Sequence, residues 1–237
     1  MKRLAIIPAR GGSKRIPYKN IREFCGLPMI AHPLGAARDS GLFSTIHVST
    51  EDEMIREVVT QFGFRPDFAR PSNLADEHAP IMPVLRFTAE EYERRGQNFD
   101  EIWLIMACSP LIDAQDLRNA AAMLNESDGK QAVLAVSEYP VPVEWAFSRD
   151  VNASLTPSQT GMFAVRSQDL KPSYFDSGSF AAFPANRIFE SSNEGSDSGF
   201  LGYVLPKGRV VDIDDEDDWQ LAEIIYQAYF DRKVEED

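Results

Sequence analysis

The chain alternates short apolar runs with longer stretches whose apolar residues recur at three- and four-residue intervals. Residues 4–7, 45–49, 101–106 and 132–136 are of the first kind, and their length and composition predict buried strands. Residues 30–38, 52–62, the stretch from Ile81 and residues 113–124 are of the second kind. Ile55, Val58, Val59 and Phe62 would share one helix face, as would Val84, Leu85 and Tyr92. Asp113 stands where a helix cap is wanted. A strand at 210–213 and a last helix carrying Trp219, Leu221, Ile224 and Ile225 close the pattern. Alternation of strand and helix over the first 136 residues predicts an α/β fold on a mostly parallel sheet.

The pattern breaks between 138 and 199, a span with eleven serines, five prolines and little helical periodicity. Such a composition suits a linker. Yet Trp145, Phe147, Met162, Phe163, Tyr174, Phe175, Phe180 and Phe183 are spread through it, and disordered segments are poor in aromatics. The span is therefore expected to be a loop-rich arm, 138–199, inserted into a core made of 1–137 and 200–237, and to pack against something.

Composition narrows the function classes. With 237 residues and 43% hydrophobic content, the chain can bury a sizeable core. No run of 18 apolar residues exists, the first apolar run is too short for a signal peptide, and no membrane partner is expected. Cys25 and Cys108 form neither a disulfide framework nor a zinc motif, and His32, His47 and His78 are scattered, so a cytoplasmic protein is expected. The formal net charge is −13, yet residues 1–22 hold seven cations (Lys2, Arg3, Arg10, Lys14, Arg15, Lys19 and Arg22) and no acid. An acidic chain with one basic corner does not suit nucleic acid; it suits a confined pocket for a small polyanion.

The basic corner follows the first strand directly: Pro8-Ala9-Arg10-Gly11-Gly12-Ser13-Lys14-Arg15-Ile16-Pro17-Tyr18-Lys19-Asn20. Pro8 ends the ladder. The glycine pair lets the backbone turn and approach a ligand, and successive N–H groups there form an anion nest deepened by the cations. A merely solvated basic loop is the bland alternative. The spacing is neither that of a P-loop nor Gly-x-Gly-x-x-Gly. A second candidate is Asp212-Ile213-Asp214, two carboxylates two positions apart. On a strand they would share one side, a hard-oxygen site suited to Mg²⁺. Asp214 to Asp218 would equally favour the N-terminus of the last helix, as would Glu51, Asp52 and Glu53 for the helix at 52–62.

The run Ile-Pro-Ala-Arg-Gly-Gly-Ser-Lys-Arg-Ile-Pro-x-Lys-Asn-Ile resembles the N-terminal signature of the CMP-sialic acid synthetases, cytidylyltransferases of nine-carbon acidic sugars. Ala69-Arg70-Pro71-Ser72-Asn73-Leu74-Ala75-Asp76-Glu77 resembles that family's nucleotide-contacting Arg-Pro-x-x-Leu-Ala-x-Asp loop, Cys108-Ser109-Pro110-Leu111 its Thr-Ser-Pro-Leu turn, and Asp212-Ile213-Asp214 its metal motif. The chain departs from sialate enzymes at Met106, where many have glutamine, and at Ile112, where many have arginine. Arg166-Ser167-Gln168-Asp169-Leu170-Lys171-Pro172-Ser173-Tyr174 is similar to a run in several nonulosonate enzymes. Its continuation, Phe175-Asp176-Ser177-Gly178-Ser179-Phe180, resembles the branch that activates pseudaminic acid.

The resemblance implies a Rossmann-like nucleotidyltransferase with an inserted dimerisation arm, acting as a homodimer on CTP and a nonulosonic acid with Mg²⁺. Pseudaminic acid is favoured, with N-acetylneuraminate and legionaminate as alternatives. Lys19, Arg10, Asp212 and Asp214 would be catalytic, the last two holding the metal. Ala9, Arg10, Gly11, Gly12, Ser13, Lys14, Lys19, Asn20, Arg70 and Ser109 would bind the nucleotide. Arg166, Gln168, Asp169, Tyr174, Gly178 and Phe180 would bind the sugar. On residue chemistry alone, Arg166 and Asp169 read equally as a surface ion pair. A non-catalytic CTP sensor is the rival of another class; it would need the phosphate grip but not the paired carboxylates.

Overall fold

The computed structural model describes residues 1–76, 79–192 and 195–231; His78 lies outside them. Six strands form the main sheet: β1 (Arg3–Pro8), β2 (Thr45–Ser49), β3 (Glu101–Ile105), β4 (Ala132–Glu138), β5 (Tyr174–Pro184) and β6 (Phe200–Val204). Their spatial order is β6-β4-β5-β3-β1-β2. β1 runs parallel to β2 and β3, and β6 parallel to β4, while β5 is antiparallel to both its neighbours. The α/β fold on a mostly parallel sheet is as expected.

Alternation along β1 shows how the sheet is buried on both faces. Ala5 and Ile7 join Trp103, Ile105 and Phe180 under α1 (Ala31–Ser40), α2 (Glu53–Gln61) and α4 (Ala114–Glu126). Leu4 and Ile6 join Ile102, Ala181 and Phe183 under α3 (Ile81–Arg94) and α5 (Ala185–Glu190). Asp113 caps α4 in a reciprocal capping box with Asp116. A third, smaller cluster matters most for function. Ile16, Phe24 and Met29, from the stretch after β1, pack with Ile213, and with Trp219 and Ala222 of α6 (Glu216–Tyr226). It brings two ends of the sequence together beside the carboxyl end of β1.

Two expectations are corrected. The arm does not run from 138 to 199 as one insert, because Tyr174–Pro184 is a central strand. A strand buried on both faces does not alternate, and this one is built from Ser177, Gly178, Ser179, Ala181 and Ala182, small residues of weak strand preference. Their smallness lets β5 lie between β3 and β4 with helices over both faces. What does project is 139–173: a hairpin of Phe147–Arg149 with Leu155–Pro157, and three short 3₁₀ turns. Residues 210–213 are not a strand either. Their neighbourhood finds other partners: Lys19 Nζ donates to the Ile213 carbonyl at 2.6 Å, and the N–H of Asp214 donates to Asp218 Oδ2 at 2.9 Å.

Candidate active site

The site grows from the carboxyl end of β1. Past Pro8 the Ala9 N–H still donates to the Ser49 carbonyl at 2.9 Å, so Ala9 is buried and held to β2. The chain then turns. A Cβ on Gly11 would stand 2.1 Å from Asp52 Oδ2, so only glycine fits there. Asp52 is fixed, since its carboxylate caps α2 by accepting the Ile55 N–H at 3.0 Å. The Gly11 N–H donates to Glu51 Oε1 at 3.0 Å, and Arg70 donates to Glu51 Oε2 from Nη2 at 2.6 Å and Nε at 3.1 Å. Burial pushes the Glu51 carboxyl up, but the bonds from Arg70 and Gly11 outweigh it and hold it below the usual carboxylate range. Asn20, nearly buried, donates from Nδ2 to the Arg10 carbonyl at 3.0 Å.

Lys19 is reached by a second turn in which its N–H donates to the carbonyl of the fully buried Ile16. Its ammonium is tied to the Ile213 carbonyl and also bonds the Cys108 thiol, which burial pushes up in pKa against the pull of Lys19. Asp212 lies beside it. Burial first, and repulsion from Asp214 second, raise the Asp212 carboxyl, with Lys19 opposing them. Asp214 pairs with Arg15 at 2.6 Å.

These groups surround a cavity of about 520 Å³, within the range of about 300–1,000 Å³ usual for small-molecule sites. Arg10, Lys14, Arg15, Lys19 and Arg70 line it against two acids, Asp76 and Asp214. Ser13 and Asn20 complete the polar end, and Leu74, Ala75, Ile81, Val84 and Met106 give the other end apolar walls. A polyanion attached to a flatter, less polar group matches this division.

Of the residues expected to bind nucleotide, Arg10, Ser13, Lys14, Lys19, Asn20 and Arg70 face one cavity. Ala9, Gly11 and Gly12 shape its loop. Ser109 does not line it; buried, it bonds the Gly178 and Ser179 carbonyls at 3.4 Å. The sugar set is not assembled in one chain. Phe180 belongs to the core, stacked on Trp103 with ring centres 6.2 Å apart, and Phe183 is buried on the opposite face. Arg166 and Asp169 form an exposed ion pair at 2.9 Å, three residues apart on the arm. Gln168, Tyr174 and Gly178 are exposed and do not line the cavity.

Two features escaped the sequence. Glu51 read as a helix-dipole acid, because its partners lie 19 and 40 positions away. Arg209 donates to the Leu111 carbonyl at 2.7 Å and to the buried Asp116, which also accepts from the Tyr203 hydroxyl at 2.9 Å. This network fixes the start of the segment carrying Asp212. Its only outward sign is a buried-looking acid on α4.

Among the described residues, no group of three or more His, Cys, Asp and Glu is placed to hold a metal ion by itself. Asp212 and Asp214 repel one another beside the cation-lined cavity, and a divalent cation that draws further oxygens from phosphate and water fits that pair.

Comparison with known proteins agrees with this chemistry. The model of the family described as Cytidylyltransferase matches residues 4–169. The chain is 34% identical over 234 residues to pseudaminic acid cytidylyltransferase of Campylobacter jejuni, covering 96% of this chain and 97% of that one. It is 29% identical over 223 residues to CMP-N,N'-diacetyllegionaminic acid synthase of Legionella pneumophila, covering 94% and 95%. The fold matches that of a CMP:2-keto-3-deoxy-manno-octonic acid synthetase complexed with CTP, with a TM-score of 0.68 at 16% identity, covering 96% of this chain and 99% of that one.

Proposed function

The chain belongs to the cytidylyltransferase family, and we propose that it activates pseudaminic acid with CTP, giving the CMP-sugar and pyrophosphate. The observation that carries the sugar assignment is 34% identity along nearly the whole of both chains to an enzyme of that name. The cavity supports the nucleotide half of the reading, with five cations around one pocket, one of them the tethered Lys19.

The sugar's anomeric hydroxyl loses its proton to solvent as it attacks the α-phosphorus, an O–P bond forms, and pyrophosphate leaves with the electron pair of the broken bridge. Such transfers are catalysed by positioning and charge rather than by a protein nucleophile. Arg10, Ser13 and Lys14 hold the β- and γ-phosphates. Lys19, anchored by the Ile213 carbonyl, faces the α-phosphate where charge develops. Asp212 and Asp214 would hold Mg²⁺ once Arg15 gave up its pairing with Asp214, and the ion would supply charge neutralisation on the phosphates. Asn20 faces the nucleotide pocket and also acts on the loop, through the Arg10 carbonyl.

The arm supports a homodimer. Val141, Phe147, Val151, Leu155 and Phe163 are exposed on 139–173, an apolar surface that a second copy would cover. Arg166, Gln168, Asp169 and Tyr174 would then reach the sugar of the other subunit. No helix among the described residues is long and apolar enough to cross a membrane, which is compatible with work in the cytoplasm.

Pyrophosphate release with CTP, Mg²⁺ and, in turn, pseudaminic, legionaminic and N-acetylneuraminic acids tests the reading. The highest kcat/KM is expected with pseudaminic acid. A higher value with either other acid removes the sugar assignment, and CTP binding with no release on any acid points to a sensor.

A further inference from the structure

The Arg10–Gly11 peptide unit is gripped on both sides. Its N–H donates to Glu51 Oε1 at 3.0 Å, and its carbonyl accepts from Asn20 Nδ2 at 3.0 Å. The two groups of a trans peptide point in opposite directions, so this pair of bonds allows one orientation of the plane and no other. The same Glu51 carboxylate takes two bonds from Arg70, whose side chain is only 5% exposed and lines the cavity. On the inner side the Asp52 carboxylate occupies the space where a Gly11 Cβ would be.

A carboxylate next to a phosphate pocket ought to weaken anion binding by repulsion. Here both of its oxygens are engaged by donors of the pocket's own frame. Resting on the assignment of a CTP site, we propose that Glu51 and Asn20 are positioning residues. They lock the Arg10–Gly11 peptide so that its carbonyl dipole faces Asn20 rather than the triphosphate, and Glu51 sets the Arg70 guanidinium in the cavity wall. Without the clamp the peptide is free to rotate. A carbonyl turned into the pocket would meet the phosphates with its negative end, and Arg70 would lose the partner that aims it. The cost falls on ligands in proportion to their phosphates.

The test compares affinities for CTP and CMP by calorimetry, with Mg²⁺ present, in the wild-type chain and in Glu51→Ala, Glu51→Gln and Asn20→Ala. Glu51→Ala removes both sets of bonds and is expected to weaken CTP about tenfold or more, the scale of one lost charge-assisted hydrogen bond. CMP is expected to change by less than about threefold. Glu51→Gln keeps an acceptor for the Gly11 N–H but not the charge for Arg70, and is expected to show a smaller loss of the same sense. Asn20→Ala has no donor for the Arg10 carbonyl, adds no charge to the cavity, and should show a CTP-selective loss of the same sense as Glu51→Ala. Thermal unfolding of each variant separates a damaged fold from a misaligned loop. Should Glu51→Ala not fold, Glu51→Gln decides. Equal losses for CTP and CMP, or unchanged CTP affinity in Glu51→Gln and Asn20→Ala, overturn the clamp while leaving the enzyme reading intact. A wild-type chain that does not bind CTP overturns both.

Discussion

The basic glycine loop and the projecting arm are both irregular chain, and they are held in opposite ways. The loop, residues 9–22, is fixed by bonds that span the sequence: to Glu51 across 40 positions, to Ile213 across 194 and to Asp214 across 199. Its anchor Ile16 is fully buried with Trp219. The arm, residues 139–173, is held by bonds within itself, such as Trp145 to the carbonyls of Met162 and Val165, while Val151 and Phe163 stand in solvent. Irregular backbone becomes a catalytic scaffold when distant parts of the chain over-determine it. Irregular backbone held only locally keeps its surface for something else to cover.

The largest effects should come from the loop. Lys19→Ala is expected to lower kcat about 10²–10³-fold, the loss typical of removing one donor aimed at developing charge. CTP affinity should fall less. Asp212→Asn and Asp214→Asn should likewise abolish most turnover and leave thermal unfolding unchanged. Steady-state kinetics at limiting Mg²⁺ measures all three; an unchanged kcat with a raised KM would move Lys19 from transition-state stabilisation to uniform binding.

The anchor beneath the loop comes next. Trp219→Ala opens a hole between Ile16 and Ile213, and should cost about 3–5 kcal/mol in urea unfolding. Because the same cluster holds the backbone of Lys19 and of the carboxylate segment, activity should fall even where the variant remains folded. Full activity in a folded Trp219→Ala would show that the hydrogen bonds alone hold the loop.

That contrast also explains what could be read from the sequence. The apolar runs of β1, β2 and β3 announce buried strands, and the glycines and cations after β1 announce a phosphate loop, since each signal is local. β5 was hidden because a strand packed on both faces by Ala181 and Ala182 has no alternation to show. Residues 210–213 were misread as a strand because their extended apolar sequence says nothing of Lys19, which takes the carbonyl of Ile213. Glu51 and Arg209 depend on partners far along the chain, and no spacing rule reaches them. Phe180 looked like a free aromatic only while its strand was taken for a loop.

A buried polar group with no ligand to meet extends the comparison into the core. His47 is 1% exposed on β2, with Nδ1 3.1 Å from the Tyr92 hydroxyl, which itself donates to Asp67 at 2.6 Å. Burial lowers the His47 pKa to about 4; Asp67 opposes the shift and Arg95 adds to it. The unfolded chain takes up the proton near pH 6.5 and the folded chain only near 4, so the unfolded state binds more protons between them and stability rises with pH there. Up to about 3 kcal/mol present above pH 6.5 should be lost as pH falls toward 4. Urea unfolding across that window measures the slope, and His47→Phe should flatten it. An equal slope in the variant would assign it to other groups.

The smallest effect on stability, and the sharpest test of the arm, belongs to Arg166. Its ion pair with Asp169 leaves the two side chains 70% and 47% exposed. Such a pair is worth about 0–1 kcal/mol at most, so Arg166→Ala should barely move the unfolding midpoint. Within one chain the residue is not part of the cavity wall, so in a lone subunit nothing in catalysis should depend on it. If the arm crosses to a second copy, the guanidinium instead meets an acidic sugar, and its removal should raise the sugar KM about tenfold, the value of one charge-assisted hydrogen bond. The KM for CTP should stay fixed, because Arg10, Lys14 and Arg70 all belong to the other subunit's own cavity wall. Kinetics with each substrate varied separately, beside sedimentation of the same samples, reads both halves. The expected result is a dimer with a raised sugar KM and an unchanged midpoint. A dimer with both KM values unchanged would return Arg166 and Asp169 to a solvated surface pair and leave the arm with a purely adhesive role.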